Sequence, residues 1–190
     1  MSERNVKEPA YRVERVADGY EVRSYDPLVV AEASVPPESG DPLSDGFRML
    51  FAYITGANSG TRQIPMTAPV LQEKRPGENI PMTAPVIREK RVGGSPVVAF
   101  VLPADLTVDT APLPTDPRIR LRPVPSRRVA VVRFSGYASD RIMEEKREKL
   151  RGMLERDALK PEGDFIEAYY NPPWTPPFMR RNEVMVEVAR

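Results

Sequence analysis

The chain has 190 residues, 28 of them Lys or Arg and 27 Asp or Glu, with no cysteine and no histidine. At that length folding buries roughly 70% of the unfolded chain's surface, so one sizeable core forms without staples. The missing residue types exclude disulfides, thiolate metal sites, a cysteine nucleophile, a serine–histidine triad and a histidine iron ligand; the near-neutral charge argues against a nucleic-acid partner.

Residues 1–15, MSERNVKEPAYRVER, contain no apolar run, which argues against a secretory signal. YRVERV, YEVRSY and LVVAEASV, between 11 and 35, alternate and are rich in β-branched and aromatic residues, so they predict strands separated by turns at Asp18-Gly19 and Asp26-Pro27. The period then changes. Asp41 is an N-cap residue with Pro42 at the first helical position. Leu43, Phe47, Leu50, Phe51 and Ile54 form one helical stripe, and Gly56 closes it. Met49 and Tyr53 sit one turn apart on a flank of this helix, with Arg48 and Ala52 behind. The flank is either a wide packing face or a contact for a ligand or partner.

IPMTAPV follows twice, at 64–70 and 80–86, with the turn signal RPGEN between. Prolines four residues apart, Pro65 and Pro69 and then Pro81 and Pro85, remove donors from one strand edge, which predicts two stiff edge-type segments, each with one apolar face. Met66 and Met82 are the soft-donor candidates, but without a histidine to share a metal they read better as apolar wall. Further strands are predicted at 96–102, 118–122 and 128–135. The run VVAFVL at 97–102 is the longest apolar one and far too short to span a membrane. A helix is predicted from Ser139 or Asp140 to Arg156, with Ile142, Met143, Leu150, Met153 and Leu154 inward. Strands near 165–170 and 183–188 finish the chain.

The order strand, helix, strand, strand thus occurs twice: 28–36, 41–55, 64–72 and a following strand, then 128–135, 139–156, 165–170 and 183–188. This predicts an α+β domain over 1–190, built from halves of about 11–106 and 118–190 joined by the linker 107–117, with its sheets forming a barrel-like body. Arg118, Arg120 and Arg122 share a strand face, which serves either for binding anions or as a solvated face. The loop YYNPPWTPPFMRRNE at 169–183 holds the only tryptophan, Trp174, with Phe178 and Met179 among four prolines. A restrained aromatic loop suits either a wall for a flat ligand or a flap over the core. No phosphate loop, dinucleotide fingerprint, nucleophile elbow or metal-ligand spacing is present. The pair Glu144 and Glu145 falls on a solvated helix face.

GFRMLFAYITGAN, the doubled IPMTAPV, FVLP, PLPTDPRIRLRPVPSRRVAVVRFSG and NPPWTPPFMRRNEV together resemble the SOUL haem-binding protein family, over about Tyr11 to Val188. The resemblance implies a distorted β-barrel of two strand–helix–strand–strand repeats, related to bacterial effector-binding domains. It also implies binding of haem or another tetrapyrrole between the first helix and the loop before the last strand. Carried onto this chain, the site residues are Arg48, Met49, Tyr53, Trp174, Phe178 and Arg180. With no histidine, contact would be hydrophobic and electrostatic, or use Tyr or Met on the iron, with a basic rim residue for the propionates. The expected role is a non-enzymatic cytoplasmic carrier or buffer with a small-molecule tetrapyrrole partner. Alternatives are an effector module for another aromatic ligand, an enzyme acting on haem, or a protein-interaction role.

Overall fold

Strands whose two faces are both apolar must be covered twice, and VVAFV and VAVV are such strands. The computed structural model describes residues 7–36, 38–59, 77–89, 96–172 and 174–189. Among these, β1 (Tyr11–Ala17), β2 (Tyr20–Tyr25) and β3 (Leu28–Ser34) lead into α1 (Pro42–Ile54) and the two-residue β4 (Asn58–Ser59). Next come β5 (Val86–Glu89), β6 (Val97–Val101), the short β7 (Leu113–Pro114), β8 (Ile119–Val124) and β9 (Arg127–Phe134). The chain ends with α2 (Asp140–Arg156), β10 (Pro161–Tyr169) and β11 (Asn182–Val188).

Nine strands form one antiparallel sheet in the order β1-β2-β9-β11-β10-β5-β6-β3-β8, curled into a half-barrel. Leaving β1 aside, the order is palindromic. The units β2-β3-α1-β5-β6 and β8-β9-α2-β10-β11 meet back to back at β5 and β10. Each unit lends its first strand to the other, β2 pairing with β9 and β8 with β3. The predicted strand–helix–strand–strand halves are therefore present, each preceded by one further strand.

The curl follows from which side chains must meet. Val30 on β3 and Val129 and Val131 on β9 lie far apart in sheet order, yet share one inner cluster with Ile87, Ala99 and Met185. On the outer face, α1 packs over Val29, Ala31, Val98 and Phe100, and α2 over Val22, Ala130, Val132, Val184 and Val186. A helix of 13 residues is marginal alone. Burying Leu50, Tyr53 and Ile54, at about 1.5–3 kcal/mol for a large apolar side chain, supplies what propensity does not. Asp41 caps α1 by accepting from the Ser44 N–H at 3.1 Å, and Ser139 caps α2. The predicted inward set of α2 is buried except Ile142, which is half-buried.

The first IPMTAPV copy and the predicted strand 64–72, with Met66, lie outside the described residues; among the described ones, β5 is the next strand of the first half to join the large sheet. Two expectations need correction. The second copy is not an edge strand. Its proline nitrogens cannot donate, and its other groups bond to separate elements: the Ile80 N–H to Ile54 O, the Ala84 N–H to Lys7 O and the Thr83 hydroxyl to Val101 O. Alternation is lost, so Ile80 and Ala84 are buried while Met82 is exposed and walls nothing. Finally, the buried stripe of α1 runs through Gly46, Leu50, Tyr53 and Ile54, leaving Phe51 exposed and stacked on Phe47 at 5.9 Å.

Candidate functional site

Between β10 and β11 the chain turns through four prolines, and the rings it carries point outward. Trp174 is 83% exposed, Phe178 78% and Met179 62%. Such exposure accompanies a fixed backbone. The Thr175 N–H donates to Pro172 O at 3.0 Å, the Met179 N–H to Pro176 O at 2.9 Å and the Arg180 N–H to Pro177 O at 3.1 Å. Arg180 Nε donates back to Thr175 O at 2.7 Å. The loop is also tied to the β9–α2 turn, since the Gly136 N–H donates to Pro177 O at 2.8 Å and Asn182 Nδ2 to Gly136 O at 3.1 Å. That turn adds Tyr137, 65% exposed, whose ring centre lies 5.7 Å from the Arg180 guanidinium. Four large apolar side chains are thus held in water by a hydrogen-bonded frame, with one cation beside them.

A charged layer anchors the loop from within. Glu183 is fully buried and accepts from Arg23 Nη1 at 3.0 Å, the Tyr170 hydroxyl at 2.9 Å and Arg181 Nε at 2.9 Å. Arg181 also stacks on the Tyr170 ring at 3.8 Å and reaches Glu8 at 2.8 Å. Burial, then the Glu183 charge, push the Tyr170 phenol well above its ordinary range. On the outer face Glu167 accepts from Arg88, Arg147 and Tyr169. Both fully buried carboxylates are saturated by donors, so neither is poised as a general base.

The helix half of the expected site is arranged differently. Tyr53 is fully buried, its hydroxyl donating to Pro112 O at 2.7 Å, and burial pushes its phenol up to about 12. It is a core residue, because the polar tip of its ring finds a carbonyl inside. Met49 is half-buried and, with Ala52, lines a cleft of about 530 Å³ closed by residues 115–119. Phe51, two residues on, lies about 200° round the helix and faces away from that cleft. Arg48 is exposed and paired with Asp45. The sequence-predicted residues are therefore not one cluster: Trp174, Phe178 and Arg180 come together, Met49 opens on a different cleft, and Tyr53 leaves the surface. Tyr137, beside Arg180, and the exposed Phe51 were not among the predicted site residues. Phe51 was assigned to the buried stripe, and Tyr137 stands alone in a turn, with no periodicity to mark it.

Among the described residues no cluster of acidic side chains fits a metal ion, and no helix is long and apolar enough to cross a membrane. The family model described as SOUL heme-binding protein matches residues 6–79 and 72–187. Heme-binding protein 1 of Xenopus laevis is 27% identical over 166 residues, covering 87% of this chain and 81% of that protein. Among solved structures, the C-terminal domain of EcmrR superposes with a TM-score of 0.61 at 12% identity, covering 95% of this chain and 98% of that one. A structure described as a hydrolase from Listeria innocua gives 0.55 at 9% identity, covering 93% and 94%. At such identities the structural likenesses establish the fold alone, an effector-binding-like one.

Proposed function

The chain belongs to the SOUL heme-binding protein family, and from that membership we propose that it binds haem or another tetrapyrrole without catalysing a reaction, as a carrier or buffer. The observation that carries the reading is the hydrogen-bonded loop holding Trp174, Phe178 and Met179 in solvent beside Arg180. A flat apolar macrocycle with two carboxylates matches that surface: exposed rings offer faces to stack on, and a guanidinium takes a propionate. The residues fit the group.

The ring rests on Trp174 and Phe178, with Arg180 toward its propionates. In this reading Phe51 and Arg48, exposed on α1, are the helix residues that meet the ring, in place of Met49 and Tyr53. The chain contains no histidine, so affinity comes from stacking and charge. When bound, haem supplies its iron and the visible absorption that reports it; the residues here bind and orient the ring. The saturation of Glu167 and Glu183 by arginine and tyrosine supports binding over acid–base catalysis.

Substitution tests the contact. Trp174→Ala is expected to weaken haemin binding about tenfold and Phe51→Ala severalfold, while Met49→Ala leaves it unchanged, all read from Soret titrations. Unaltered affinity in W174A together with a loss in M49A would move the ring into the cleft beside residues 115–119 and overturn this assignment.

A further inference from the structure

The arginine-rich stretch after residue 117 divides in the fold. Arg118 is taken by Asp116 at 2.7 Å, and Arg122 by Glu32 at 2.6 Å and Glu89 at 3.4 Å, so two of the three arginines singled out by alternation are neutralised and Arg120 stands exposed on the strand. Arg127 and Arg128, at the start of β9, behave differently. They line a second cleft, of about 440 Å³, with Arg12 and Glu14 from β1, Ser24 from β2 and Ser126 from the β8–β9 turn. It is separate from the aromatic loop.

Strand register builds the cleft. Arg12 pairs with Ser24, and Ser24 with Arg128, so the three stand in one transverse row across β1, β2 and β9. Side chains of directly paired residues share a sheet face. At about 4.8 Å between strands, the two arginine backbones lie about 10 Å apart with a hydroxyl midway, a spacing two guanidinium forks can close over one small anion.

Unused donors converge on the same place. Arg12 makes no hydrogen bond or ion pair among the described residues, and the Ser24 and Ser126 hydroxyls likewise have no bond. Arg127, paired with Tyr25, turns its side chain to the other face of the sheet, where it reaches Glu187 at 3.0 Å, and borders the cleft at the start of β9. Arg128 is held by Glu14 at 2.7 Å and by Ala189 O at 2.7 Å, which fixes its fork. Arg12 and Arg128 against Glu14 leave the row at +1, and Arg127 with Glu187 adds nothing to that balance. An oxyanion would satisfy several of these donors at once.

We propose that this cleft binds a phosphate group, either inorganic phosphate or the head of a small phosphomonoester. Tetrahedral oxygens suit donors arriving from three strands and a turn, where a planar carboxylate would engage only one fork.

The test is an amide-shift titration of the whole chain with inorganic phosphate, glycerol phosphate and acetate, each at fixed ionic strength held with chloride. Phosphate is expected to give saturable shifts at Ser24, Ser126 and Arg127 with a low-millimolar or tighter midpoint. Acetate should give at least about tenfold weaker binding. Tighter binding of glycerol phosphate than of phosphate would identify a phosphorylated metabolite as the ligand; equal binding would identify the free ion. Arg12→Ala, at an exposed position, should raise the midpoint about tenfold, and Ser24→Ala about threefold, without changing haemin binding. Linear shifts to about 50 mM phosphate, equal binding of acetate, or an unchanged midpoint in both variants would overturn the proposal.

Discussion

Replacing Arg23 by methionine is expected to lower the stability of the fold by about 3 kcal/mol, the low end for removing one partner of a buried ion pair, because Arg181 still faces Glu183. Arg23 and Glu183 are both nearly inaccessible, and Arg23 also bonds Glu21 at 2.8 Å. Burial alone would lower the Arg23 pKa, but the Tyr25 hydroxyl and the Glu183 charge outweigh it and hold the guanidinium firmly charged. In the variant, Glu183 keeps Arg181 and Tyr170 but loses the cation that faces it across β11, β9 and β2. Urea denaturation of R23M, E183M and the double variant measures the coupling. We expect the double variant to lose less than the two single losses added together. Additive losses, or a cost below about 1 kcal/mol for R23M, would mean that the layer is hydrated and does not anchor the loop.

The second large effect concerns Gly46. A Cβ at this position would fall 2.5 Å from both Cβ and Cγ2 of Val98, so α1 lies on β6 as closely as a bare backbone allows. Gly46→Val is expected to cost about 3 kcal/mol by overpacking. Gly46→Ala gains helix propensity, which offsets part of a smaller clash. Thermal unfolding of the two variants separates these terms: a valine variant as stable as the parent would show that α1 lifts without penalty. Because the helix is seated through Gly46, its tilt decides which flank is buried, and therefore which residues face a ligand.

That dependence explains what could be read from the sequence. The strands at 11–35, both helices with their caps and the entire second half follow from periods of two and 3.6, which are local properties. The partner of each strand is not local. Nothing in YEVRSY marks β2 as the neighbour of β9, so the exchange of leading strands, the inner charged layer and the Arg12–Ser24–Arg128 row were invisible. The same holds for the α1 flanks. Met49 and Phe51 lie about 100° to either side of Leu50, and spacing cannot choose between them. The choice is made by Gly46 against Val98 and by the Tyr53 hydroxyl meeting the Pro112 carbonyl. In IPMTAPV the alternation of apolar residues was misleading, since a segment with Pro81 and Pro85 has too few donors to lie along one neighbour. The aromatic loop was legible for the opposite reason: a lone tryptophan among prolines has no periodic face to join and stays outside.

The reading as a tetrapyrrole carrier is tested most directly by titrating the unmodified protein with haemin and, in parallel, with iron-free protoporphyrin, following the Soret band and the fluorescence of Trp174. Since the chain has no histidine and the exposed surface offers ring faces and a guanidinium, both pigments should saturate at equimolar ratio with comparable midpoints, and Trp174 emission should be quenched in step. Failure of both pigments to saturate would contradict the carrier reading. Saturation by haemin alone would contradict a site built on stacking and charge, because iron would then be holding the ring.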